Sequence, residues 1–190
     1  MRDVKDSDVR KAEFVDAAEK LFKENGIMDT TINAIVKELN VAKGLFYYYF
    51  KSKDDVIDAI SERYNVDFKQ ALARSLNEED DYDERLSRFV ENCIVSFRSM
   101  WENLHGVNEN IDLSILSTRS IDEAKEIASL ALRQLLEEGK ELHKLNIENP
   151  GYFADIIIGG IADLAAHTEA DVLELKKIIE DLIRKSGKEK

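Results

Sequence analysis

Apolar residues recur along nearly the whole chain at spacings of three and four, the period of a helix with one buried face. No stretch alternates as a half-buried strand would. Phe14, Ala18, Leu21 and Phe22 mark a first helix over about 8–25, which Asn25-Gly26 stops. Thr30 or Thr31 caps a short second helix carrying Ile32, Ile35, Val36 and Leu39, and a third begins near Lys43. Ser52, with Asp55 three residues on, resembles a capping box for a fourth helix that runs through Ile57, Ile60 and Tyr64 to about Ser75. After the polar break "NEEDDYDE", Leu86, Phe89, Val90, Cys93, Phe97, Met100 and Leu104 share one stripe of a fifth. A short segment over 111–116 follows. Ser120 with Glu123 predicts the start of a helix reaching about Lys144, Asn149-Pro150 starts the next, and the last is predicted over 169–185. The expected fold is all-α, about nine helices, with a three-helix domain over 1–53 and a larger helical domain over 54–190.

One stretch does not fit plain burial. "GLFYYYFKSK", residues 44–53, places five aromatics in a row in a chain that is 8% aromatic, then adds two lysines. On a helix advancing about 100° per residue, Phe46 and Phe50 fall on one side and can join Ile35 and Leu39 in a small core. Tyr48 points away from that side together with Gly44 and Leu45, and Tyr47 and Tyr49 occupy the flanks. A short helix with outward phenols and lysines, preceded by a helix and a three-residue turn, is a helix-turn-helix. In that geometry the second helix enters the DNA major groove, flanking hydroxyls reach phosphates, and outer residues near its N-terminus meet base edges. Gly44 permits close approach, and Leu45 suits a thymine methyl. A buried core with incidental hydroxyls is the competing reading of this run.

Composition tests that reading through charge. The 190 residues carry a net charge of −12, which argues against a polyanionic partner until the charge is located. Residues 1–53 hold ten Lys or Arg against nine Asp or Glu, a net +1, whereas the remainder holds 17 against 30, a net −13. From Asn40 to Lys53 there are three lysines and no acid. DNA would be repelled by most of the molecule and accepted at one end.

The order of residues here is also familiar. Residues 10–56, with "AAEKLFKENG" and "TTINAIVKELNVAKGLFYYYFKSKDDV", resemble the DNA-binding domain of the tetracycline-repressor (TetR) family. Asn40 stands where that family usually has glycine, and Ala42 where a capping Ser or Thr is usual. The resemblance implies that Thr31, Tyr47, Tyr49 and Lys53 contact phosphates. It implies that Lys43, Gly44 and Leu45 read bases and that Tyr48 touches backbone or bases. It further implies a ligand-responsive repressor with a small-molecule effector held in the larger domain.

Two recognition helices are needed to read a palindromic operator, so a homodimer is expected. Its interface is expected on the last two helices, at Ile157, Gly160, Ile161 and Leu164 and at Val172, Leu175, Ile179 and Leu182. The resemblance implies the same four-helix arrangement. Candidate lining residues for the effector are Phe68, Phe89, Cys93, Phe97, Met100, Trp101, Asp112 and Leu116, with a buried Asp112 or Glu91 able to select a cation. Each of these also reads as ordinary core. His105, His143 and His167 show no ligand spacing, so no metal or cofactor is expected. No Ser–His or Cys–His arrangement or phosphate loop is visible, so an enzyme is the third-ranked reading, behind a helical interaction module that does not bind DNA. With no basic-then-apolar leader, no membrane span and a single cysteine, the chain is expected to be cytoplasmic.

Overall fold

The computed structural model describes residues 7–76, 80–105, 111–167 and 171–186. These form eight helices: α1 Ser7–Asn25, α2 Ile32–Glu38, α3 Lys43–Tyr49, α4 Lys53–Ala73, α5 Tyr82–His105, α6 Ser114–Glu141, α7 Pro150–His167 and α8 Val172–Ser186. Among the described residues there is no strand. Two compact units result, one of residues 1–64 and 103–120, the other of 65–102 and 121–190. This division differs from the boundary expected after residue 53, because the first three turns of α4 and the start of α6 pack with the N-terminal helices.

Left-handed residues end three of the helices. Gly26 (φ 85°) closes α1 with its N–H on the Phe22 carbonyl at 2.8 Å. Asn40 (φ 51°) closes α2: its N–H bonds the Lys37 carbonyl at 3.0 Å, and that of Val41 bonds the Val36 carbonyl at 3.0 Å. His143 (φ 56°) closes α6 in the same double-bonded way, through Lys140 and Gly139. Helix starts follow side-chain caps. Ser52 and Asp55 cap α4 reciprocally, Asp112 accepts from the Ser114 N–H at 2.9 Å, Asn149 from Tyr152 and Asp171 from Leu173.

One expected helix start is corrected. Ser120 does not cap; it lies mid-helix, fully buried, and is hydrogen-bonded to the Ser61 hydroxyl at 3.1 Å. Its partner in the expected box, Glu123, accepts from Asn65 instead. Leu116, Ser120, Ala124 and Ala128 are all buried at four-residue steps with no breaker between them, so segment 111–116 and the helix after it are one. Among the described residues the helices number eight, close to the nine or so expected. The expected end at Lys144 is the closing turn after Glu141, and residues 168–170, included in the expected last helix, lie outside the described residues.

In the first unit Phe14 is the hub of the core, with ring centroids 5.7 Å from Phe46 and 6.3 Å from Phe50. The second unit is built on the α5 stripe, where Leu86, Phe89, Val90, Cys93 and Ile94 are fully buried.

Candidate nucleic-acid interface

The α2–turn–α3 unit presents the aromatic run as its spacing predicts. Phe46 and Phe50 are buried at 0% and 3% exposure, whereas Tyr47 and Tyr48 are exposed at 50% and 75%. Tyr49 and Leu45 are half-buried on the flanks. Phe46 and Phe50 bury apolar area worth about 1.5–3 kcal/mol each, and this fixes the rotation of α3 and so aims the tyrosines. Tyr48 packs edge-on against Tyr49 at 4.8 Å, and Tyr47 against Phe46 at 5.5 Å, so each phenol rests on a ring that holds its direction. The Lys43 ammonium lies 5.9 Å from the centre of the Tyr47 ring. Gly44 is exposed, and a Cβ there would meet nothing within 4 Å, so the surface is open to close approach at this point.

Thr31 caps α2, its Oγ1 accepting from the Ala34 N–H at 3.1 Å, which leaves its own O–H to donate outward. Ala42 caps α3 without a side-chain bond. Neighbouring acids are held in ion pairs. Glu38 pairs with Lys20 at 2.7 Å, and the bond raises the lysine pKa; Glu19 pairs with Lys23 at 2.7 Å and with Arg63, which also holds Asp16. Lys43 and Lys51 stand exposed at the two ends of the aromatic run.

Lys53 departs from expectation. Its Nζ donates to the carbonyls of Ile27 (2.6 Å), Thr30 (3.0 Å) and Met28 (3.5 Å), so the ammonium is turned into its own chain rather than presented to a phosphate. No sequence spacing signals such a bond across more than twenty residues.

The proposed effector residues divide. Phe68, Phe89, Cys93, Phe97 and Met100 are buried in the second unit, with the Phe68 and Phe97 rings 4.8 Å apart, and burial pushes the Cys93 thiol pKa well up. Trp101 is half-buried. Leu116 is buried in the first unit. The expectation of a buried Asp112 is wrong: it is exposed, and its bonds to Ser114 at the start of α6 hold its carboxyl below the usual range. Glu91 is already paired with Lys176 at 2.6 Å.

The expected interface residues also divide. Ile157, Ile161, Leu175 and Ile179 are buried inside the chain itself, so they are not available to a partner. Val172 is half-buried, and Gly160, Leu164 and Leu182 are exposed. The middle of each apolar stripe packs inward, and its shoulder remains outside: Tyr152, Ile156, Gly160 and Leu164 on α7, Ile178 and Leu182 on α8. Tyr152 and Ile156, both 71% exposed, escaped notice in the sequence because the continuous apolar run of α7 hides which side is wet.

Among the described residues no cluster of His, Cys, Asp or Glu could hold a metal ion, and no helix is long and apolar enough to cross a membrane.

Residues 14–60 match the family model for bacterial regulatory proteins of the tetR family. The HTH-type transcriptional regulator HbdR of Aromatoleum sp. (strain CIB) is 31% identical over 111 residues, 58% of this chain and 44% of that protein, so the chain spans less than half of that relative's length. A TetR/AcrR-family regulator from Thermobifida fusca superposes with a TM-score of 0.69 at 18% identity, covering 95% of this chain and 100% of the other. FadR of Bacillus subtilis, in complex with stearoyl-CoA, superposes at 0.65 with 18% identity, covering 92% and 98%. At such identity the structures share the fold.

Proposed function

We propose that the chain, whose residues 14–60 match the family model for bacterial regulatory proteins of the tetR family, is a member of that family and a sequence-specific, DNA-binding transcriptional repressor released from its operator by a small molecule. The observation that carries this reading is the outward face of α3: Tyr47 and Tyr48 are exposed on a helix whose rotation Phe46 and Phe50 fix from behind. In a major groove, Tyr47, Tyr49 and Thr31 would reach phosphates, Tyr48 would reach backbone or bases, and Lys43, Gly44 and Leu45 would face base edges. A helical module that does not bind DNA would gain nothing from exposing two phenols and Lys43 on one short helix.

The working form is a cytoplasmic homodimer on a palindromic site. The exposed apolar shoulders of α7 and α8 support this, since Tyr152, Ile156, Leu164, Ile178 and Leu182 would be covered by a second copy. The effector would enter the second unit, among the aromatic and sulfur-bearing residues of α5. That FadR of Bacillus subtilis holds stearoyl-CoA supports a role for this fold in taking an apolar ligand.

The test is binding to mixed genomic duplex fragments at two salt concentrations. Binding should weaken with salt, because the cations that the α3 face brings to the duplex displace condensed counterions. Tyr47→Phe should weaken it for all sequences, and Lys43→Met should also change which fragments are retained. Retention of the same fragments by both variants, with parental affinity, would refute the assignment.

A further inference from the structure

The N-terminal turn of α4 poses an electrostatic puzzle. Lys53 is the first residue of the helix, where the macrodipole and unbonded N–H groups disfavour a cation. Its ammonium converges on three carbonyls of the α1–α2 turn, those of Ile27, Met28 and Thr30. Other groups of that turn are engaged as well. The Thr30 hydroxyl bonds the carbonyls of Leu21 (3.1 Å) and Gly26 (2.8 Å), and the Ile27 N–H reaches the Asp112 carbonyl at 3.4 Å. Thr30 itself is only 2% exposed. The next residue is Thr31, the cap of α2 and the first of the hydroxyls aimed outward.

We propose that Lys53 is a positioning residue for DNA binding: its ammonium clamps the α1–α2 turn and thereby sets where Thr31 and the N-terminus of α2 meet the DNA backbone, without itself pairing with a phosphate. The proposal rests on the DNA-binding reading above. A compact ammonium has three donors in a tetrahedral fan and can satisfy three converging carbonyls. A planar guanidinium keeps the charge but not that geometry.

Lys53→Arg separates the two roles, because it conserves charge. A phosphate-pairing residue would be served as well or better by the bidentate fork of arginine. A carbonyl clamp would be broken. The full-length protein is titrated against the duplex that the parent retains from a randomised library, across a series of salt concentrations. Lys53→Arg is expected to weaken binding about tenfold or more, the worth of a hydrogen-bonded charge, with the slope of log affinity against log salt unchanged. Amide exchange at Thr31 to Ala34 in the free protein should quicken. In the Lys53→Met variant the slope should again match the parent, where loss of a phosphate-pairing lysine would reduce it by about 0.9 per subunit. Full affinity in Lys53→Arg, or a slope in Lys53→Met reduced by about 0.9 per subunit, overturns the proposal while leaving the DNA-binding reading intact. A parent protein that retains no duplex sinks both.

Discussion

At residue scale, the turn between α2 and α3 stands or falls on two positions. Asn40 sits at φ 51°, a region that costs most residues about 1–2 kcal/mol and that asparagine tolerates through its short polar side chain. Asn40→Val should therefore lower stability by about that amount, and Asn40→Gly should be neutral or slightly stabilising; chemical denaturation of the three proteins measures both. Ala42 starts α3 with no side-chain cap. Ala42→Ser should add about 1 kcal/mol if the new hydroxyl bonds the third amide of the helix. An unchanged denaturation midpoint would show that the missing cap costs nothing. The identities of these residues, and the inward placement of Phe46 and Phe50, were legible in the sequence because short-range geometry determines them. Lys53 was not. Its partners lie more than twenty residues away, and nothing in "FKSKDD" distinguishes a lysine that faces a phosphate from one that faces its own backbone.

At element scale, periodicity was a good guide to where helices lie and a poor guide to which side is wet. In α6, Ser120 and Glu123 have the form of a helix start, yet the helix runs straight through them because their polar groups find Ser61 and Asn65. In α7 and α8 the stripe centre is internal core. Two further predictions belong here. Gly139 on α6 faces Tyr82, whose hydroxyl is buried without a hydrogen-bond partner among the described residues and whose pKa is pushed up to about 12 by burial. A Cβ at Gly139 would collide with the phenol and come within 2.8 Å of Leu145 Cδ1. Gly139→Ala should cost about 1–3 kcal/mol, as overpacking does, despite alanine's better helix propensity; a thermal melt reads the sign. The second prediction concerns Asp83, which joins Lys144 (2.6 Å) and Arg184 (2.7 Å) and so ties the start of α5 to the end of α8. These bonds hold its carboxyl below the usual range. A lowered folded pKa stabilises the fold above the unfolded carboxylate range, near pH 4, and that contribution is lost as pH falls through the folded value. Asp83→Asn should therefore melt below the parent at neutral pH, and the gap should close in acid. A gap that widens in acid would contradict the assignment.

At the scale of the whole molecule, charge and apolar surface are distributed between distinct tasks. On the proposed reading, a net −13 beyond residue 53 would keep most of the chain away from DNA and leave the α3 face, with Lys43 and Lys51 at its ends, as the place a polyanion can approach. The apolar shoulders of α7 and α8 give the dimer prediction. Ile156→Glu combined with Leu182→Glu should leave the fold intact, since both side chains are exposed in the single chain at 71% and 50%, and should halve the mass seen by light scattering. A parent that is already monomeric at micromolar concentration would remove the interface. Such a monomer would have only one recognition helix to offer a palindrome.

The central claim, that the outer face of α3 reads duplex sequence, is tested most directly by selection from a randomised duplex library. The parent protein should enrich a motif with two-fold symmetry, its half-sites separated by about one helical turn or more, 34–36 Å for a single turn. Lys43→Ala with Tyr48→Ala should abolish or change that motif while circular dichroism stays helical. Enrichment of no motif by the parent, or of the same motif by the double variant, would contradict the account.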